Sequence, residues 1–104
     1  MLARAQRIPR EFLAKPKGRR VSFRFGTVVF LPLVPARAAV VVSKKTFRAA
    51  VSRNRARRRV AAILRRVLRE KKLAKSILIY ANTAALRAPF SELEQAIKDA
   101  IAHS

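Results

Sequence analysis

The 104-residue chain carries 25 Lys and Arg against five Asp and Glu, a formal net charge of +20, and has no cysteine. The missing thiols exclude a disulfide framework and a thiolate metal site, and the single histidine, His103, leaves imidazole acid–base catalysis little material. Self-repulsion of this size destabilises a compact chain unless a polyanion relieves it, with nucleic acid the first candidate and an anionic membrane the second.

One domain is expected over residues 1–104, with 1–6 frayed, because half the chain is apolar and only two glycines interrupt it. The longest apolar run, Val28 to Ala36, contains Pro32 and Pro35 and falls short of the ~20 residues a membrane helix needs. The start, M-L-A-R-A-Q-R-I-P-R, is basic like a transit peptide, but Pro9 and Glu11 break that pattern. With no secretory signal, the expected location is the cytoplasm.

In chain order, R-I-P-R-E-F-L-A-K over 7–15 predicts a short helix with Pro9 in its first turn, stopped by Pro16 and Gly18. Val21, Phe23 and Phe25 alternate with Ser22 and Arg24, a strand with one buried face. T-V-V-F-L from Thr27 to Leu31 and A-A-V-V-V-S from Ala38 to Ser43 are β-branched runs, and the three strands predict an antiparallel meander. The period then changes. From Val51 onward, Ala56, Val60, Ile63, Leu64, Val67 and Leu68 recur at helical spacing, with Lys71, Lys72 and Lys75 closing the helix. I-L-I-Y-A from Ile77 to Ala81 predicts a buried central strand. S-E-L-E from Ser91 to Glu94 predicts a capping box, and Leu93, Ala96, Ile97, Ala100 and Ile101 a second amphipathic helix. The expected fold is a single α+β domain, α-β-β-β-α-β-α, with helices packed on one four-stranded sheet.

The first long helix carries the chemistry. Seven of the fifteen residues from Ser52 to Arg66 are arginines, yet the apolar stripe is intact. Arg55, Arg58, Arg59, Arg65, Arg66 and Arg69 lie opposite that stripe, a ladder roughly 20 Å long at 1.5 Å per residue. A merely solvated face would mix signs, but Glu70 is the only acid between Val51 and Ser76. A membrane-surface helix needs free apolar side chains, and here the sheet requires the stripe as its cover. Nucleic acid fits best, because the guanidinium fork donates two hydrogen bonds to phosphate oxygens. A helix-turn-helix DNA reader is mainly helical, with polar base-reading side chains, and Asn54 alone on this helix is of that type. Phe23, Phe25 and Phe30 could stack on unpaired bases, which points to RNA; core packing is the competing fate.

R-A-A-V-V-V-S-K-K from Arg37 to Lys45, followed by A-V-S-R-N-R-A-R-R-R from Ala50 to Arg59, resembles the protein subunit of bacterial ribonuclease P. R-I-P-R-E-F, K-G-R-R-V, I-L-I-Y-A and F-S-E-L-E-Q-A-I extend the resemblance along nearly the whole chain. It implies a ribosomal-protein-S5-domain-2-like fold with a left-handed β-α-β crossover, where the general rule favours a right-handed one. It also implies a non-catalytic protein subunit of an enzyme that removes the 5′ leader from precursor tRNA. Hydrolysis would be done by the catalytic RNA with Mg²⁺ held mainly on that RNA, with no protein-only activity. The implied partners are the ribonuclease P catalytic RNA and precursor tRNA, with no membrane. No catalytic or metal-ligating residue is expected in the protein.

By position, Arg53, Asn54, Arg55, Arg57 and Arg58 match the family's R-N-R motif and the basic pair after it. Asn54 is expected to fix the backbone where the helix starts, while Arg53 and Arg55 point at phosphate. Arg59, Arg65 and Arg66 extend the RNA-binding set, Lys44 and Lys45 match the S-K-K lysines, and Arg37 opens the third strand. The single-stranded leader is expected in a cleft of Phe12, Phe30, Lys44 and Lys45. Pro16 and Val29 stand where the family commonly has aromatics, and the link Thr46 to Ser52 is one residue longer. The alternative from the same fold is a ribosomal or other structural RNA-binding protein.

Overall fold

The computed structural model describes residues 18–32, 36–70 and 75–102. The predicted helix over 7–15, with Phe12 and Pro16, therefore lies outside the described residues, as do Lys71, Lys72 and His103.

Arg19–Phe23 (β1) and Gly26–Leu31 (β2) form an antiparallel hairpin in register Arg19↔Phe30 to Phe23↔Gly26. Phe25, read above as a strand residue, sits in the two-residue turn, with its ring buried in the core. Gly26 after it has φ +146°, and a Cβ there would meet the Tyr80 carbonyl oxygen at 1.9 Å. Glycine is required at this position by both backbone conformation and close approach.

The meander is not what forms. Ala38–Val41 (β3) does not pair with β2; it pairs in parallel with Ser76–Ala81 (β4), and the sheet order is β1-β2-β4-β3. β4 lies antiparallel to β2, at the centre. Burial explains the order. Ile77, Leu78 and Ile79 are buried on successive positions and need cover on both faces and a neighbour on both sides. In β3 only Ala38 is fully buried, which suits an edge strand. Pro32 offers no ladder N–H just where a hairpin return would have to begin.

Ala50–Glu70 (α1) crosses from the end of β3 to the start of β4. Its buried residues are Ala56, Val60, Ala61, Ile63, Leu64 and Val67; the predicted stripe differs only in gaining Ala61 while Leu68 is half-buried. Each buried Val, Leu or Ile contributes roughly 1.5–3 kcal/mol, so tertiary burial holds this helix against the repulsion of its own arginines.

Ala84–Arg87 (α2) is a single turn that periodicity did not reveal. Asn82 builds it: its Oδ1 accepts from the Ala84 N–H at 3.0 Å, and its Nδ2 donates to the Arg24 carbonyl at 3.1 Å. Phe90–Ala102 (α3) closes the chain's described part and buries Leu93, Ile97, Ala100 and Ile101. The predicted capping box does not form, because the Pro89 carbonyl accepts the first helical bond from the Leu93 N–H and Ser91 is already inside the first turn. Val28, Phe30, Ile77, Ile79 and Ala38 face the helices in one core; Val29, Leu31 and Leu78, with Ala39, Val41 and Tyr80, line the sheet's second face.

Candidate nucleic-acid interface

At about 100° per residue, α1 shows an outer side and a committed flank besides its buried stripe. Arg55, Arg58, Arg65 and Arg69 share the side away from the sheet, and all four are exposed. Among the described residues, none of these four guanidiniums meets a carboxylate. The first turn of α1 holds no acid either, so the helix's own positive end adds to the field.

One flank of α1 is committed to the protein itself. Arg59 donates through Nη1 to the Ala85 carbonyl at 2.7 Å and to the Leu86 carbonyl, and through Nη2 to the Ala88 carbonyl. These are the carbonyls left over at the end of α2, where a cation is favourable. About two turns further along, Arg66 meets Glu94 at 2.9 Å, and about one turn beyond that Glu70 faces Lys98 at 3.9 Å. Arg59, expected on RNA, is therefore a clamp on α2, and Arg66 shares its charge with α3.

Where α1 begins, the backbone-fixing role expected of Asn54 falls to Arg53. Arg53 Nη1 donates to the Phe47 carbonyl at 3.0 Å, with the Arg48 carbonyl at 3.4 Å, tying the preceding loop to the helix. Asn54 is exposed within the helix, and its Oδ1 accepts from Arg57 Nη1 at 3.2 Å. The guanidinium fixes the backbone here; the amide only steadies another arginine.

Lys44 and Lys45 are exposed in a turn between β3 and α1. Ser43 shapes that turn: its Oγ donates to Thr46 Oγ1 at 2.9 Å and accepts from the Thr46 N–H at 3.1 Å. The two lysines thus lie at the same end of the sheet as the start of α1. Arg37 lies at the opposite end of β3 and does not join them. Its backbone N–H donates to Ser76 Oγ at 2.9 Å, its carbonyl accepts from the Ile77 N–H at 2.8 Å, and its buried Nε has no hydrogen-bond partner among the described residues.

Phe30 does not line a cleft. It is 3% exposed and packs in the core beneath the helices, because β2 alternates and Val29 takes the second face. Phe23 and Phe25 also belong to that core, in edge-to-face contact at 6.3 Å. The aromatic on the second face is Tyr80, half-buried on β4, with the Arg20 guanidinium 5.8 Å from its ring centre. Counting parity from the buried Leu78 could have found it. Among the described residues no three His, Cys, Asp or Glu side chains come together to hold a metal ion, and no helix is long and apolar enough to cross a membrane.

A mixed sheet covered by helices, one of them offering four guanidiniums that meet no carboxylate among the described residues, defines a small α+β domain suited to a polyanionic partner. A family profile described as Ribonuclease P matches residues 5–104, and the chain belongs to that family. It is 41% identical over 95 residues to the ribonuclease P protein component of Thermus aquaticus, covering 91% of this chain and 56% of that protein. It is 36% identical over 66 residues to the corresponding component from Pseudanabaena sp. (strain PCC 6903), covering 64% of this chain and 57% of that protein. The chain thus spans just over half the length of these curated relatives. Among solved structures, a mutant RNase P protein of Staphylococcus aureus superposes with a TM-score of 0.79 at 25% identity, covering 95% of this chain and 87% of that one. Another structure of the S. aureus RNase P protein gives 0.75 at 24% identity, covering 96% and 95%.

Proposed function

We propose that this chain is the RNA-binding protein subunit of a ribonuclease P ribonucleoprotein that removes the 5′ leader from precursor tRNA in the bacterial cytoplasm. The observation that carries the reading is the outer side of α1, where Arg55, Arg58, Arg65 and Arg69 stand exposed with no carboxylate of the described residues against them. These side chains grip phosphates of the catalytic RNA, and Lys44 and Lys45 extend the grip from the neighbouring turn. Tyr80 and Arg20, on the sheet's second face, offer a ring and a cation to the unpaired leader. Mg²⁺ held mainly on the RNA would supply the charge stabilisation for phosphodiester hydrolysis. The protein's own share is binding and orientation; on its own it cleaves nothing.

Reconstitution tests this. The purified chain, added to a bacterial ribonuclease P RNA at low Mg²⁺, restores cleavage of precursor tRNA, and Arg58→Ala weakens RNA binding by roughly 1–3 kcal/mol. An RNA that gains nothing from the chain at low Mg²⁺ refutes the assignment, and co-sedimentation with ribosomal subunits through a high-salt wash would favour a ribosomal role instead.

A further inference from the structure

The segment from Ser76 onward has a net charge of −1, and almost all of its charges are spent inside the protein. Glu92 lies 3.6 Å from Arg24, Glu94 meets Arg66, Asp99 accepts from Gln95 Nε2 at 2.9 Å, and Lys98 faces Glu70. Arg87 is the exception: exposed at the last residue of α2, it has no hydrogen bond or ion pair among the described residues.

Its position gives that exception meaning. Arg87 and Leu86 wall two adjoining cavities between α1 and α2. The first, about 480 Å³, lies against Arg48, Ser52 and Thr83. The second, about 490 Å³, lies against Arg55 and Arg59. Among the described residues no acidic side chain lines either cavity. Arg59 has already given its donors to the α2 carbonyls, which leaves Arg48, Arg55 and Arg87, uncommitted among the described residues, around a groove made of these two cavities, with Arg87 on the wall they share. The Arg59 clamp also holds α2, and so Arg87, against the helix.

We propose that this groove seats a phosphodiester segment of the bound RNA, and that Arg87 is an RNA contact outside the basic helix. Three arginines set around adjoining cavities from a loop, a helix and a helix end repel one another unless an anion lies between them. Each can present a planar donor fork to phosphate oxygens, and the hydroxyls of Ser52 and Thr83 stand beside them. The interface thus continues from the outer side of α1 around its N-terminal half onto α2. This rests on the functional reading above, and it names a part of the surface that the basic helix alone does not contain.

The test uses the full chain and two RNA probes in separate arms: a bacterial ribonuclease P RNA, and a leader-bearing precursor tRNA. Affinity is measured across a salt series for the wild type, Arg87→Ala, Arg48→Ala, Arg87→Lys and Lys98→Ala, with thermal unfolding of each. Arg87→Ala and Arg48→Ala each lower the slope of log K against log salt by about one. Arg87→Lys keeps the slope, and Lys98→Ala, outside the groove, leaves it unchanged. Loss in the first arm places catalytic RNA in the groove; loss in the second places the substrate there. Unchanged slopes for both alanine variants in both arms, with the fold intact, overturn the proposal. A wild type that binds neither probe sinks the functional reading itself, whereas weakening by Arg58→Ala alone sinks only the groove.

Discussion

Arg53 and Asn54 are neighbours in sequence with opposite duties. The Arg53 guanidinium holds two loop carbonyls from a partly buried position, whereas Asn54 has one exposed bond to Arg57. Removing Arg53 strands the Phe47 carbonyl, so Arg53→Ala should cost about 1–3 kcal/mol of folding stability. Asn54→Ala should stay within about 0.5 kcal/mol, as surface changes do. Urea denaturation of the two variants checks this, and the reverse ranking would undo the assignment. The distinction was partly legible in sequence. Three residues at about 100° each put Arg53 some 60° from Ala56, on the buried side of the helix. What the pattern could not show is which carbonyls wait there, because the loop's path depends on tertiary packing. Phe30 was equally decidable from alternation along β2, since Val29 and Phe30 cannot both face the cleft.

Among the elements, α1 and β4 are the two that pattern defines most sharply, with α3 close behind. One has a 3–4 period over five turns, and the other an unbroken apolar run. Strand order is different, because periodicity records which face a residue takes and not which neighbour it finds. The parallel pairing of β3 with β4 comes from β4's need for cover on both sides. The single turn of α2 is too short to show a period; its only sequence signal is Asn82, a turn-forming side chain just before it. Packing alone does not secure so short an element, and Arg59 supplies the rest. Arg59→Ala should therefore destabilise the protein by about 1–3 kcal/mol. In hydrogen exchange it should expose amides of residues 84–88 far more than those of α3. Equal loss of protection in both helices would show that the clamp is not specific to α2.

For the molecule as a whole, the sign and size of the charge matter more than any pair. Three ion pairs, at Arg24–Glu92, Arg66–Glu94 and Lys98–Glu70, are the only ones among the described residues, and they are too few to offset +20. The folded state is therefore self-repelling and should be stabilised by any anion that binds it and not the unfolded chain. A non-specific single-stranded RNA at about a hundred times its Kd should add roughly 2.7 kcal/mol. Differential scanning calorimetry at constant ionic strength checks this, since simple screening by chloride would raise Tm equally with and without the RNA.

The clamp of Arg59, the Arg66–Glu94 pair and the Glu70–Lys98 pair run along a single flank of α1. A strand of phosphates drawn to the outer arginines pulls off the helix axis, so it exerts a torque as well as an attraction. Held in azimuth at three heights, most firmly by the Arg59 clamp, α1 resists rolling to follow its load. On the proposed function, a bound RNA strand would bend to this fixed row of charges, and the protein would serve as its template.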